Sequence, residues 1–175
     1  MIRVRFAVME ELFNAGGWQI ILDSADLPDG RTKKVPRVER ADSVHLLAMP
    51  EEGKIIVIRE YRPYYGQYIW MLPSGRADKE KDMAVAAQRE LQEETGYKAG
   101  KLDFLWSVNH SESLIMTNHF FTARDLTHDP LPQDEDELIE VHVCTPQEAL
   151  EKVHTSPKVH LPSAYGLMRY MHESI

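Results

Sequence analysis

Apolar residues fall in short runs of strand length, separated by polar segments and turn residues. Runs of this length that are rich in Ile, Val, Leu, Phe and Trp predict β-strands. They cover residues 18–23, 43–49, 54–59, 67–72, 102–108, 118–123 and 138–144. The second and third runs are joined by the short connection Pro-Glu-Glu-Gly at residues 50–53, so we expect these two strands to pair as a hairpin.

Residues 83–95 give the strongest helix prediction in the chain. Asp82 is a suitable N-cap, the interior is rich in Ala, Leu, Glu and Gln, and Gly96 follows as a stop signal. Two further helices are expected at residues 146–153 and 163–173. Strands on both sides of a central helix, with more helices at the end of the chain, predict an α/β protein in which a mixed sheet packs between helices.

Composition and charge narrow the function classes. The chain has 175 residues, which fits one domain, and its 28 acidic and 20 basic residues give a net charge of −8. This charge disfavours binding to a nucleic-acid backbone, whereas carboxylates commonly hold divalent cations. Cys144 is the only cysteine, which excludes an internal disulfide and a cysteine zinc site, and its apolar neighbours predict a buried strand position. We see neither a membrane span of about 18 apolar residues nor a secretory signal, and we expect a cytoplasmic protein without membrane contact.

The predicted helix 83–95 carries a cluster of carboxylates. Glu90, Glu93 and Glu94 stand at i, i+3 and i+4 and share one face, and Arg89 is placed to hold one of them. Neighbouring carboxylates repel each other on a bare helix, and a bound divalent cation would replace that repulsion by coordination. A solvated acidic face is the alternative interpretation.

The segment 72–97 resembles the Nudix box, Gly-x5-Glu-x7-Arg-Glu-U-x-Glu-Glu-x-Gly-U, in which U is bulky and apolar. The matching positions are Gly75, Arg89, Glu90, Leu91, Glu93, Glu94, Gly96 and Tyr97. One fixed position departs from the box, because Lys81 stands where the pattern has its first glutamate. In the family that glutamate is at most a secondary metal ligand, so the departure bears on the number and affinity of the metal ions more than on activity. Glu80 and Asp78 are the candidate substitutes.

The resemblance implies a Nudix-like α/β/α sandwich that hydrolyses a nucleoside diphosphate linked to another group. It implies two or more Mg²⁺ or Mn²⁺ ions in each active site. Glu90, Glu93 and Glu94 would be the side-chain metal ligands, joined by the backbone carbonyl of Ser74. Glu94 and Glu93 would also be catalytic, because water held by the metal is the expected nucleophile.

Over most of its length the chain is similar to one subgroup, the ADP-ribose and nucleoside-diphosphate-sugar pyrophosphatases. Residues 59–63, Arg-Glu-Tyr-Arg-Pro, resemble the subgroup's Gln-Phe-Arg-Pro, which implies that Arg62 contacts the diphosphate. A surface ion pair is the alternative role for this arginine. The implied substrate is ADP-ribose, cleaved to AMP and ribose 5-phosphate. GDP-mannose, a dinucleoside polyphosphate, NADH, or a sensing domain without catalysis are the alternatives.

The region before residue 43 is similar to the N-terminal extension through which the subgroup dimerises. We therefore expect a single domain with a β extension at 1–42, which builds a homodimer, and a catalytic core at 43–175. Trp18 would stack on the nucleobase and Arg40 would reach a phosphate. A core aromatic at the start of a strand is the alternative for Trp18.

The acidic segment 133–141 is similar to the loop and strand that deliver one more glutamate in the subgroup. The strand pattern places that residue at Glu137, with Glu135 as the second choice, and the implied role is that of general base. A solvated loop tip is the alternative, because charge runs usually are solvated. The histidines lack the spacing of a zinc site and are interpreted as structural; they include His45, His110 and His119.

Overall fold

The computed structural model describes residues 6–134 and 136–173. The chain divides into two compact units. One consists of Met1–Asp42 and Val108–Thr117, and the other of Ser43–Ser107 and Asn118–Ile175. Among the described residues, the helices are α1 (Met83–Thr95), α2 (Pro146–His154) and α3 (Leu161–Glu173). No described helix is long and apolar enough to cross a lipid bilayer.

The first unit is built on one sheet. In spatial order its strands are β1 (Phe6–Ala15), β2 (Trp18–Asp26), β3 (Thr32–Arg40) and β9 (Leu114–Ile115). The first three pair antiparallel, and β9 pairs parallel with β3. The sequence predicted only part of β2 here, because β3 reads Thr-Lys-Lys-Val-Pro-Arg-Val-Glu-Arg and has no apolar run.

The second unit contains two sheets. The first has the order β7 (Ser74–Arg76), β4 (Ser43–Ala48), β10 (Thr117–His128) and β8 (Tyr97–Asn109). The second has the order β11 (Ile139–Cys144), β5 (Ile55–Arg62) and β6 (Gln67–Met71). The sheet around β4 is mixed, since β4 pairs parallel with β10 and antiparallel with β7. Cys144 is buried at the end of β11, as predicted.

The predicted hairpin of residues 43–49 and 54–59 is wrong. The two strands lie in different sheets, where β4 pairs with β7 and β10 and β5 pairs with β6 and β11. Both runs are mainly apolar, and their residues Val44–Ala48 and Ile55–Ile58 are buried. A run that is buried on both faces is typical of a central strand with a neighbour on each edge. The short polar connection therefore carries the chain from one sheet to the other.

Helix α1 begins and ends where the sequence predicted. The Asp82 side chain accepts a hydrogen bond from the Ala84 backbone N–H at 2.8 Å, which caps the first turn. Gly96 ends the helix with a φ of 76°, a left-handed conformation that favours glycine. The small residues on one face of α1 let it pack closely on the mixed sheet. The contact cluster includes Ala86, Ala87, Leu91, Val44, Leu46 and Phe121.

Two consecutive phenylalanines of β10 show how the mixed sheet is covered. Side chains alternate between the faces of a strand, so Phe120 and Phe121 point to opposite sides. Phe121 packs in the cluster that includes α1, whereas Phe120 lies against Tyr165 of α3 with a ring-centroid distance of 5.8 Å. Gly166 of α3 approaches so closely that a β-carbon would collide with the Phe120 ring. Helices therefore cover both faces of the sheet, and the predicted α/β/α sandwich is confirmed.

Candidate active site

The loop before α1 and the acidic face of α1 are in close contact. At Gly75 in β7, an added β-carbon would overlap the carboxylate of Glu90. Only glycine leaves room for this carboxylate, which is 9% exposed. The solvated-face interpretation of the helix is therefore wrong for Glu90 and Glu94, which are both buried.

Arg89 connects the carboxylates around it. Its Nε lies 2.6 Å from Oε1 of Glu80, and its Nη1 lies 2.6 Å from Oε2 of Glu93 and 2.9 Å from Oε1 of Glu90. Its Nη2 donates to the backbone carbonyl of Arg76 at 3.0 Å. One guanidinium thus fixes the helix glutamates relative to the loop. The prediction that Arg89 holds a carboxylate is confirmed, with more partners than the sequence indicated.

The contact with Arg89 also shows where the residues beside Lys81 lie. Lys81 is exposed, and its neighbour Glu80 binds Arg89 through both carboxylate oxygens, at 2.6 and 3.3 Å. Asp78 instead lies 3.4 Å from Arg76. Of the two candidate substitutes for the box's first glutamate, Glu80 is the one that contacts Arg89, the same guanidinium that binds Glu90 and Glu93.

Glu94 and Ser74 meet at the other end of the cluster. The Ser74 backbone N–H donates to Oε2 of Glu94 at 2.7 Å, which ties the end of α1 to the start of β7. The structure thus brings Ser74 into contact with the helix glutamates through its amide. The expected role of the Ser74 carbonyl as a metal ligand stays a prediction.

Burial and mutual repulsion disfavour ionisation of these carboxylates. The pKa of Glu90 is raised to about 7, mainly by burial and in part by the charge of Glu93, against the opposing effect of Arg89. Burial also raises the pKa of Glu94 well above its usual range; the charge of Glu90 adds to this, and the Ser74 amide opposes it. A divalent cation would reverse the effect by favouring the ionised forms.

Glu137 lies in the loop before β11, and its backbone N–H donates to the Asp134 carbonyl at 3.1 Å. Its pKa is raised by burial and by the charge of Asp134, with a further contribution from Glu93, while Arg62 opposes the shift. Glu137 is therefore partly buried within the electrostatic reach of the helix cluster. Glu135, the second choice for this role, lies outside the described residues.

The sequence reasoning missed Glu60 of β5. This carboxylate is 5% exposed, and its Oε2 lies 2.7 Å from Nη2 of Arg62, two positions along the strand. Burial raises its pKa, Arg62 opposes that rise, and the charge of Glu137 adds to it. A signal was present in the sequence, since the alternation Ile56, Ile58, Glu60 places a glutamate on a buried face of an apolar strand.

The donor set fits a divalent cation. Within residues 6–134 and 136–173, no three carboxylate or imidazole groups converge closely enough to hold an ion as the side chains stand. Arg89 occupies one oxygen of Glu90 and one of Glu93, and the Ser74 amide occupies one oxygen of Glu94. The second oxygen of each carboxylate has no hydrogen bond in this described part of the chain. Carboxylate oxygens are the ligands that Mg²⁺ and Mn²⁺ prefer, so the residues present fit such an ion.

Trp18 and Arg40 belong to the first unit and lie side by side. They are directly opposite each other in the pairing of β2 with β3, and the Arg40 guanidinium carbon lies 4.6 Å from the Trp18 ring centroid. Trp18 is 39% exposed, which argues against the alternative of a core aromatic. The other candidate residues belong to the second unit: Arg62, Ser74, Glu90, Glu93, Glu94 and Glu137.

His45 has structural surroundings, as the sequence interpretation expected. It is buried in β4, stacks on Phe120 at a centroid distance of 5.0 Å, and its Nε2 lies 3.0 Å from Oδ1 of Asn118. Burial lowers its pKa to about 4, so the ring is neutral near pH 7. A neutral buried imidazole adds no charge to the acidic cluster.

Comparisons with known proteins complete the description. A family model described as the NUDIX domain matches residues 39–163. Over 164 residues the chain is 30% identical to the ADP-ribose pyrophosphatase of Bacillus subtilis (strain 168). This matched region covers 90% of this chain and 87% of that protein. Over 147 residues it is 31% identical to the methanol dehydrogenase activator of Bacillus methanolicus, which covers 82% of this chain and 80% of that protein.

A solved structure supports the same fold. The crystal structure of an ADP compounds hydrolase superposes on this chain with a TM-score of 0.78, covering 99% of this chain and 96% of that one. The sequence identity in this match is 21%, so the likeness concerns the fold.

Proposed function

Since the chain belongs to the NUDIX family, we propose that it hydrolyses the pyrophosphate bond of a nucleoside diphosphate sugar. The proposed substrate is ADP-ribose, and the products are AMP and ribose 5-phosphate. The name of one similar protein, the ADP-ribose pyrophosphatase that is 30% identical to this chain, supports this choice of substrate.

The observation that carries the proposal is a set of carboxylates from three segments whose pKa values are raised by burial and by neighbouring negative charges. They are Glu60 of β5, Glu90 and Glu94 of α1, and Glu137 of the loop before β11, and the charge of Glu93 contributes to the shifts of Glu90 and Glu137. Assembling so much negative charge around buried groups is unfavourable without a cation. Carboxylates with raised pKa values that cluster in this way are typical of a functional site.

The proposed cofactor is Mg²⁺ or Mn²⁺, with two or more ions in each site, held by Glu90, Glu93, Glu94 and the Ser74 carbonyl. When bound, it would neutralise charge on the diphosphate and lower the pKa of water. Arg89 holds the glutamates at fixed positions on the helix, and Gly75 leaves room for one of their carboxylates. These contacts fix one oxygen of each helix carboxylate and leave the other oxygen for the metal.

Glu137 is the proposed general base. It accepts a proton from the attacking water as the phosphorus–oxygen bond to the leaving phosphate breaks. A loop position suits this role, because the carboxylate then approaches the reacting atoms when the substrate is bound. Its raised pKa brings the group closer to the pH at which the enzyme works.

Three residues are proposed to bind the substrate. Arg62 is 42% exposed and offers its guanidinium to the diphosphate. Trp18 stacks on the base, and Arg40 contacts a phosphate. A homodimer built through residues 1–42 is proposed as the functional assembly, with Trp18 near the partner subunit's site. The proposed compartment is the cytoplasm, where the thiol of Cys144 stays reduced.

The test is Glu94→Gln, with turnover measured on ADP-ribose and a panel of nucleotide sugars. Glutamine keeps an acceptor for the Ser74 amide but removes the charge, so the fold is retained and turnover falls at least about a hundredfold. Glu151→Gln, on the exposed side of α2, is the matched control and keeps full activity. Near-wild-type turnover of Glu94→Gln at saturating Mg²⁺ contradicts the proposal. Binding of the panel without hydrolysis would favour a sensing domain instead.

A further inference from the structure

Glu60 and Arg62 form an ion pair in which the carboxylate lies on a buried, otherwise apolar face of β5. The residues preceding Glu60 on the same face of β5, Ile56 and Ile58, are fully buried and apolar. Glu60 continues that buried face, and its Oε2 lies 2.7 Å from Nη2 of Arg62. A carboxylate at such a position carries a desolvation cost that an apolar residue of similar volume would not.

A second contact holds the same nitrogen of Arg62. Its Nη2 lies 3.3 Å from Sδ of Met71, which is on the neighbouring strand β6. Met71 is opposite Ile58 in the pairing of β5 with β6, so the sulfur is fixed within the sheet. The guanidinium is thus held at one nitrogen by a buried carboxylate and a buried thioether, while 42% of the side chain remains exposed.

The charge of Glu60 repels the other carboxylates of the acidic cluster. It contributes to the raised pKa of Glu94, and the charge of Glu137 in turn raises the pKa of Glu60. A carboxylate that is buried and also repelled by its neighbours adds nothing to the binding of an anionic substrate by itself. Its favourable interaction is the one with Arg62, and this indicates that it acts through that arginine.

We propose that Glu60 is a positioning residue that holds the Arg62 guanidinium in the orientation that receives the diphosphate of the substrate. The proposal rests on the proposed function, in which Arg62 is a diphosphate ligand. A side chain that is fixed before the substrate arrives loses less conformational entropy on binding. The effect of Glu60 therefore falls on substrate binding more than on the chemical step.

The test compares the steady-state kinetics of Glu60→Gln and the wild type with ADP-ribose at saturating Mg²⁺. We expect KM to rise about tenfold and kcat to change less than about twofold, because the ion pair that orients the guanidinium is lost before chemistry begins. Glu140→Gln is the matched control. It breaks the pair of Arg59 Nη1 with Glu140 Oε2, which has a similar distance of 2.9 Å but is exposed, and it should change neither constant.

A double-mutant cycle with Arg62→Gln shows whether Glu60 acts through the arginine. In the Arg62→Gln background, the additional change Glu60→Gln should have no further effect on KM. An effect of the same size in both backgrounds, an unchanged KM in Glu60→Gln, or a loss confined to kcat would each overturn the inference. If Arg62→Gln itself leaves KM unchanged, the proposed function of Arg62 has failed, which is a separate result.

Thermal unfolding of each variant accompanies the kinetics. Glu60→Asp provides a second variant in case Glu60→Gln does not fold. It keeps the charge but shortens the side chain by one methylene, so it should also raise KM, by less than Glu60→Gln does. A folded Glu60→Asp with wild-type KM would overturn the inference.

Discussion

The raised pKa of Glu90 predicts how the stability of the metal-free protein depends on pH. The perturbation is Glu90→Gln, which replaces the carboxylate by a neutral group of almost the same shape. Arg89 keeps Glu80 and Glu93 as ion-pair partners in this variant, so the guanidinium is not left unpaired. The variant therefore removes the cost of ionising one buried carboxylate and, with it, the charge that helps to raise the pKa of Glu94.

The pH dependence of the free energy of unfolding follows from the pKa of Glu90 in the folded and unfolded states. The pKa of Glu90 is about 7 in the folded protein, against an ordinary value of 4.5. Between these values the folded state binds the proton more tightly than the unfolded state, so the free energy of unfolding falls as the pH rises. The loss is absent below pH 4.5 and complete above pH 7, where it amounts to about 3 kcal/mol for a shift of this size.

The assay is urea unfolding in the presence of a chelator at several pH values. The free energy of unfolding of Glu90→Gln minus that of the wild type should increase from pH 4.5 to 7 and then stay constant. Glu151→Gln, an exposed change on α2, should show no such trend. If the free energies of unfolding of Glu90→Gln and the wild type differed by the same amount at every pH, the raised pKa of Glu90 would be refuted. Added Mg²⁺ should stabilise the wild type more at pH 7.5 than at pH 5, because protons compete with the metal for the same oxygens.

Three further outcomes are expected. Glu137→Gln should lower kcat much more than it raises KM, and it should remove the rise of activity with pH, because the raised pKa belongs to the proposed base. An unchanged kcat would exclude Glu137 as the general base. Gly75→Ala should abolish most activity, because the Glu90 carboxylate must move away from the added methyl group. The melting temperature should change little, because only the end of the Glu90 side chain has to move. Full activity would contradict the close contact of Gly75 with Glu90. Sedimentation at micromolar concentration should show a homodimer, and a fully active monomer would remove the basis for placing Trp18 near a partner's site.

Local signals in the sequence were sufficient for the helices. The Asp82 side chain caps the first turn and Gly96 adopts a left-handed φ after the last one, so α1 has the predicted bounds. Thr145 caps α2 through a capping box in the same way. Caps act within one turn of the chain, and a single sequence contains all the information that they need.

Strand pairing depends on partners that are distant in sequence, and here the prediction failed. The short connection at 50–53 favoured a hairpin, but β4 pairs with β10, which begins at Thr117. β1 and β3 were missed: β3 has no apolar run, and β1 has only a short one at residues 6–9, before two glutamates. Both strands pair with β2. The strand pattern alone does not identify which neighbours will cover a buried run.

The site shows the same division between local and distant information. Helical spacing placed Glu90, Glu93 and Glu94 on one face, and the family pattern identified Gly75. Glu60 was not identified, because its importance depends on burial and on charges from other segments of the chain. A polar residue on the buried face of an apolar strand was the available signal.

The parallel pairing of β4 with β10 determines when, during synthesis, the acidic helix becomes anchored. The apolar surface under α1 includes Val44 and Leu46 of β4 but also Phe121 of β10. Ribosomes make the chain from the N-terminus, so a nascent chain that has just reached Tyr97 carries the complete box without Phe121. Non-local pairing must close a long loop before its contacts form. The ability to bind metal should therefore appear late in translation, and a fragment ending at Tyr97 would carry every box residue on a helix that lacks part of its support.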